Sequence, residues 1–77
     1  MVEAYVLIQA EVGRSAAVAD AVRKIAGVRF ADVVTGPYDV VLRADAADID
    51  GLGELIVANV QAVVGVTRTL TCPVLHL

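Results

Sequence analysis

Through residues 2–11, VEAYVLIQAE, side chains alternate: Ala4, Val6, Ile8 and Ala10 fall on one side, Tyr5 and Leu7 on the other beside Gln9 and Glu11. A period of two in a stretch rich in β-branched residues predicts a first strand. After Gly13 the period lengthens. Val18, Val22, Ile25 and Ala26 repeat at helical spacing, which predicts a helix over 16–26 with Ser15 as its N-cap, an Asp20–Lys24 pair on its outer face and Gly27 just past its end. Two further β-rich runs, VRFADVVT (28–35) and YDVVLRAD (38–45), flank Gly36-Pro37 and predict an antiparallel hairpin. Asp48 then offers an N-cap to a second helical face of Leu52, Leu55, Ile56, Asn59, Val60 and Val63. Gly51 and Gly53 each weaken its first turn by about 1 kcal/mol. Gly65 ends it, and VTRTLTCPVL (66–75) alternates as a fourth strand.

The order β-α-β-β-α-β has two halves that echo each other: KIAGVRFADV leads the first helix into strand two as AVVGVTRTLT leads the second into strand four. This is the split βαβ arrangement, an α+β ferredoxin-like fold with a four-stranded antiparallel sheet and two helices on one face, in one domain spanning 1–77. Right-handed crossovers put strands one and three in the middle and two and four at the edges, where Pro73 is tolerated.

Helices on one face leave the other face to solvent, yet neither face is polar. Tyr5 and Leu7 oppose Val6 and Ile8; Phe30 and Val34 oppose Ala31 and Val33; Val41 opposes Val40 and Leu42. An open apolar face marks an interaction surface, most economically the same face of a second copy, so a homodimer packed sheet to sheet is expected. Size points the same way, because a domain below ~80 residues rarely draws more than ~3–5 kcal/mol from its own core. One cysteine and one histidine in 77 residues allow neither an internal disulfide nor a zinc site, and no cofactor is called for.

A net charge of −3, with six lysines and arginines scattered singly, gives no basic stripe and argues against direct nucleic-acid binding. No apolar run approaches the ~20 residues that cross a bilayer, and the single thiol fits a reducing, cytoplasmic setting. For catalysis there is little. His76 lies next to the C-terminus with no carboxylate paired to it in sequence, and no histidine is placed to activate Cys72. No catalytic residue and no metal ligand is assigned.

The bend VTGPYDVVL (34–42) carries more chemistry than a reversal needs. Gly36 supplies an unusual φ and Pro37 fixes a turn, but Tyr38 and Asp39 add a phenol and a carboxylate in a chain with two tyrosines and one phenylalanine. One reading is structural: Asp39 bonds a nearby N–H and Tyr38 covers an apolar edge. The other is a binding corner, where amides near Gly36 hold a carboxylate and Asp39 holds an ammonium. Residue types alone leave both open.

AGVRFADVVTGPYDVVLRA and the closing VVGVTRTLTCPVLHL resemble the C-terminal effector (RAM) domain of the Lrp/AsnC family, with its Gly-X-Tyr-Asp hairpin, over essentially the whole chain. The resemblance implies a ferredoxin-like domain that dimerises through its sheets, often assembles four dimers into an octamer, and binds amino acids or related effectors between dimers. It implies a binding role for Gly36, Tyr38 and Asp39, with Thr35 and Pro37 as neighbours. Thr67, Thr69 and Thr71, on one face of strand four, are added as hydroxyl donors. Regulators of this family carry an N-terminal helix-turn-helix domain, and strand one here begins at Val2. The expectation is a stand-alone module that senses an amino acid by itself or co-assembles with a full-length regulator. The alternatives are a ligand-free adaptor or a small dimeric ferredoxin-like enzyme. A heavy-metal-binding domain of this fold would have Cys-x-x-Cys where this chain reads QAEVGRSAA, and an ACT domain would have a fuller glycine turn than Gly13 provides.

Overall fold

The computed structural model describes residues 1–77. Its elements run β1 (Val2–Ala10), α1 (Ser15–Arg23), β2 (Val28–Val33), β3 (Val40–Ala46), α2 (Ile49–Glu54) continuing into a wider segment (Leu55–Val60), and β4 (Val66–Pro73). The sheet is antiparallel throughout, in the order β2-β3-β1-β4. Ferredoxin-like order, central β1 and β3 and edge strands β2 and β4 follow the sequence pattern.

The helices cover the face that carries Ala4, Val6, Ile8, Val40, Leu42, Ala44 and Ala31. These join Val18, Ala19, Val22, Leu52, Leu55, Ile56 and Val60 in one buried cluster. On the open face lies a row across four strands: Cys72, Tyr5, Arg43 and Phe30, set by the partners Tyr5↔Cys72, Tyr5↔Arg43 and Phe30↔Arg43. The next row is Leu70, Leu7, Val41 and Asp32. Tyr5 and Phe30 meet edge to face at 6.5 Å, and the Arg43 guanidinium lies 5.1 Å from the Tyr5 ring centre while donating to its hydroxyl at 2.8 Å. Tyr5, Phe30 and Leu70 stay 37%, 41% and 43% exposed, so this face is apolar and uncovered within one chain.

Several local expectations shift. The first helical bond of α1 runs from Val18 N to Arg14 O, which puts Arg14, a residue with no acceptor to offer, in the cap position and Ser15 inside the helix. The helix stops at Arg23, not Ala26, and Gly27 (φ +95°) belongs to the turn that enters β2. Asp20 pairs with Arg23 at 2.8 Å instead of Lys24. Asp48 does cap α2, its Oδ1 accepting from Gly51 N at 2.7 Å. Past Glu54 the helix widens, ending with Gln61 N donating to Ile56 O, five residues back. This extra residue per turn carries Val60 into the core and leaves Asn59, predicted to face inward, exposed. The β2–β3 connection spans residues 34–39, longer than a tight hairpin.

Candidate functional site

Along β1 the odd residues bond towards β4 and the even ones towards β3, as the strict alternation of an antiparallel ladder requires. Asp39 N donates to Ile8 O at 2.8 Å, the last main-chain bond on the β3 side. Ala10 N–H, two residues on, points the same way and finds no β3 carbonyl, because the chain has already turned into the bend. Asp39 Oδ2 accepts this amide at 2.8 Å. The carboxylate thus stands in for a missing rung of the sheet. Gln9 Nε2 donates to Pro37 O at 3.0 Å, and Val34 N to Asp39 O at 2.9 Å, so the bend is fastened to β1 at two points and closed on itself at a third.

So held, the bend presents unused donors. The N–H groups of Thr35, Gly36 and Tyr38 meet no acceptor within the chain, and Pro37 has none to give. Gly36 sits at φ +141°, a backbone conformation an L side chain rarely adopts, with open space where a Cβ would stand. Thr35, Gly36 and Pro37 are exposed; Tyr38 and Asp39 are half-buried. Both readings of Asp39 meet in this geometry: one oxygen positions the bend, and the other is free.

The threonines do not act as one row. Thr69 and Thr71 lie opposite Ile8 and Val6 on the helix side of β4. The ladder shifts register between Gln9 and Ala10, and Thr67 occupies the irregularity, its hydroxyl donating to Gln9 O at 3.1 Å. Thr67 and the Gly36–Asp39 bend therefore flank the same end of β1, tied to Gln9 and Ala10 from opposite sides. Thr71 lies further along, in a groove with α2 and Pro73. Thr69 bonds Gln61, whose Nε2 donates to its hydroxyl at 2.9 Å. Gln9, which ties the bend and Thr67 to β1, was not singled out from the sequence, although a polar amide after the apolar run Val6–Ile8 was the available signal.

None of the cavities of the single chain is lined by residues 34–39. A polar one of about 420 Å³ is formed by Gln61, Val66, Thr67, Arg68 and Thr69, and one of about 390 Å³ by Arg23, Val28, Arg29, Phe30, Ala31 and Asp32. No group of three or more His, Cys, Asp and Glu side chains is placed to hold a metal ion. His76, with no carboxylate paired to it in sequence, is exposed and brings Nε2 to 3.5 Å from Glu3 Oε1, near the end of the sheet remote from the bend. No helix is long and apolar enough to cross a membrane.

A family model described as the Lrp/AsnC ligand binding domain matches residues 3–77. TTHA0845 from Thermus thermophilus superposes with a TM-score of 0.93 at 30% identity, covering 100% of this chain and 96% of that one. A curated relative from Pyrococcus furiosus, the uncharacterized HTH-type transcriptional regulator PF0250, is 32% identical over 54 residues, which are 70% of this chain but 36% of that protein. This chain thus spans about a third of that regulator. The transcriptional regulator NMB0573 of Neisseria meningitidis, in a complex with L-Met, shares the fold at a TM-score of 0.84 and 21% identity, over 97% of this chain and 50% of that one.

Proposed function

The chain belongs to the Lrp/AsnC ligand binding domain family, and from that premise we propose that it is an effector-binding and oligomerisation module whose effector is an amino acid or a related zwitterion. The observation that carries this reading is the set of free amides at Thr35, Gly36 and Tyr38, held in place by the Asp39 bond to Ala10. A carboxylate needs such donors, and the free oxygen of Asp39 complements an ammonium a few ångströms away. The phenol of Tyr38 and the hydroxyls of Thr35, Thr67 and Thr69 supply further polar contacts. Because no cavity of one chain includes the bend, the binding cleft in this reading is completed by another copy. The neisserial regulator whose structure holds L-Met gives the same fold an amino-acid ligand.

The homodimer of this proposal buries the open face, whose Tyr5, Leu7, Phe30, Val41 and Leu70 have no cover in one chain. The relative from Pyrococcus furiosus is described as a transcriptional regulator, which favours a regulatory role over a catalytic one. With a net charge of −3 and no basic stripe, residues 1–77 act in this reading as a sensing module, alone or co-assembled with a full-length regulator that makes the contact with DNA.

Thermal melting coupled to light scattering, with each common amino acid at millimolar concentration, tests the reading. A ligand held by the native assembly adds about 2.7 kcal/mol at a hundredfold excess over its dissociation constant. One or a few amino acids should raise the midpoint, their amidated or N-acetylated forms should not, and Tyr38→Phe should reduce the shift. Indifference to every amino acid would leave an adaptor without a ligand.

A further inference from the structure

The outer edge of β4 has no strand paired to it. Val74 N donates to Glu3 O at 2.8 Å, and the two-residue period of the ladder then turns Cys72, Leu70 and Arg68 towards β1. The main-chain N–H and C=O groups of Thr69 and Thr71 are left facing outward, while Thr67 lies at the shift of register. At the other edge, the main-chain bond from Val34 N to Asp39 O turns Ala31 outward by the same reasoning, but there Arg23 donates to Ala31 O from Nε at 2.9 Å and Nη2 at 2.6 Å. The β2 edge is thus closed at its middle, as edge strands in monomeric proteins commonly are. On β4 the residue in the position of Arg23 is Gln61, and it bonds the Thr69 side chain, leaving the Thr69 carbonyl open.

We propose that β4 is a second interface, at which two copies of the chain pair β4 to β4, antiparallel, about a two-fold axis through Thr69. Residues 67–71, Thr-Arg-Thr-Leu-Thr, are self-complementary in that register. Thr69 meets Thr69 of the second copy and Thr67 meets Thr71, so the outward amide and carbonyl of each Thr69 face those of the other and the two Thr69 side chains stack as a favourable cross-strand pair. Arg68, the one charged residue of β4, falls opposite Leu70, which avoids like-charge repulsion across the junction. Pro73, which has no N–H to give, lies beyond the paired residues.

The helix layer continues across the same junction. α2 packs against β1 and β3 but scarcely touches β4, whereas α1 lies along β2. The resulting groove, about 340 Å³, is lined by Ile49, Leu52, Ile56, Val57, Thr71 and Pro73, among others. Ile49 and Val57 are 60% and 64% exposed there, large apolar groups that a copy joined at β4 covers with its own helix layer. This interface is distinct from the open sheet face and does not depend on the identity of the effector.

Cross-linking reads the register directly. In a Cys72→Ser background, Thr69→Cys should oxidise to a disulfide-linked dimer, because Cα atoms of a hydrogen-bonded antiparallel pair stand about 5.5 Å apart, within disulfide reach. Thr71→Cys in that background should not link to itself but should link to Thr67→Cys when the two are mixed. Separately, Thr69→Pro removes an outward amide without touching the bonds to β1, and Val57→Lys charges the groove. Each should halve the mass of the assembly by light scattering, without added amino acid, while the far-UV spectrum is kept. Equal self-linking at 69 and 71, no linking at either, or an unchanged mass in both Thr69→Pro and Val57→Lys would overturn the proposal.

Discussion

At the β2 edge a helix lies along the strand and an arginine covers its outward carbonyl; at the β4 edge the helix stands off and a glutamine bonds a side chain instead. The two halves echo in sequence with an offset of 38 residues, so that Gly27 answers Gly65, Arg23 answers Gln61 and Ala31 answers Thr69. Their turns into the strand share even the hydrogen bonds: Val28 N to Ile25 O in one half, Val66 N to Val63 O in the other. What differs is how each edge is finished, and that rests on a few side chains. A repeated βαβ unit can thus keep one fold while one edge is closed and the other stays available.

The comparison breaks most severely at the two glycines. Both have positive φ, +95° at Gly27 and +99° at Gly65, but their surroundings differ. A Cβ at Gly27 would stand 2.7 Å from Leu55 Cδ1 and 2.8 Å from Asp45 O, the second a backbone atom that cannot move aside. At Gly65 the nearest atoms are side-chain carbons of Arg14 and Val18 at 3.1 Å. Gly27→Ala should cost about 3 kcal/mol and Gly65→Ala about 1–2 kcal/mol, from the backbone strain common to both plus the clash at Gly27. Urea midpoints of the two variants check this. Equal losses would mean that the turns are alike in packing as well as in conformation.

Exchanging Arg23 and Gln61 tests the edges themselves. Arg23→Gln should cost about 1 kcal/mol, because the Ala31 carbonyl keeps water as a partner, and it should raise the assembly mass by opening a second free edge. Gln61→Arg should change stability by no more than about 0.5 kcal/mol, as expected of a surface position, yet lower the mass by covering the Thr69 carbonyl. Light scattering on both variants decides. If the mass moves in neither, the arginine is only a packing residue along β2.

Much of this was legible in the sequence because it depends on period alone. Alternation in β1, the central place of β1 and β3 and the surplus of apolar side chains on the second face all survive in the structure. What period could not give was the reach of individual long side chains. Arg23, the last residue of α1, turns its side chain to Ala31 O, and nothing local to residues 16–26 signals a carbonyl eight residues ahead. The widening after Glu54 goes with burial of Leu55, Ile56 and Val60 and leaves Asn59 outward, which a 3.6-residue period does not signal. At the bend the residue types were legible and the division of labour was not. Asp39 takes the Ala10 amide because β3 begins at Val40, two residues too late to face Ala10, which is a property of register.

Charge separates the two halves most gently. Arg29 binds Asp45 and Arg43 binds Glu3, whereas Arg68 of β4 makes no ion pair. Both carboxyls are held below their ordinary range, Glu3 chiefly by the hydrogen bond from Arg43 and Asp45 chiefly by that from Arg29. In the unfolded chain each returns to its ordinary value. As pH falls the unfolded state therefore takes up protons first, and the stability these pairs contribute, complete above the ordinary carboxylate range, declines through that range and is lost once pH passes below the lowered folded-state values. Both pairs lie at the surface with side chains partly in reach of solvent, so the effect is small and screened by salt. The melting midpoint should hold level from pH 8 to about 6 and fall below about 5, by less in 0.5 M NaCl. Glu3→Gln and Asp45→Asn should each flatten part of that fall, and Arg68→Gln should leave it unchanged. An acid profile that Arg68→Gln alters as much as Asp45→Asn does would place the sensitive charges on the β4 side and reverse the assignment.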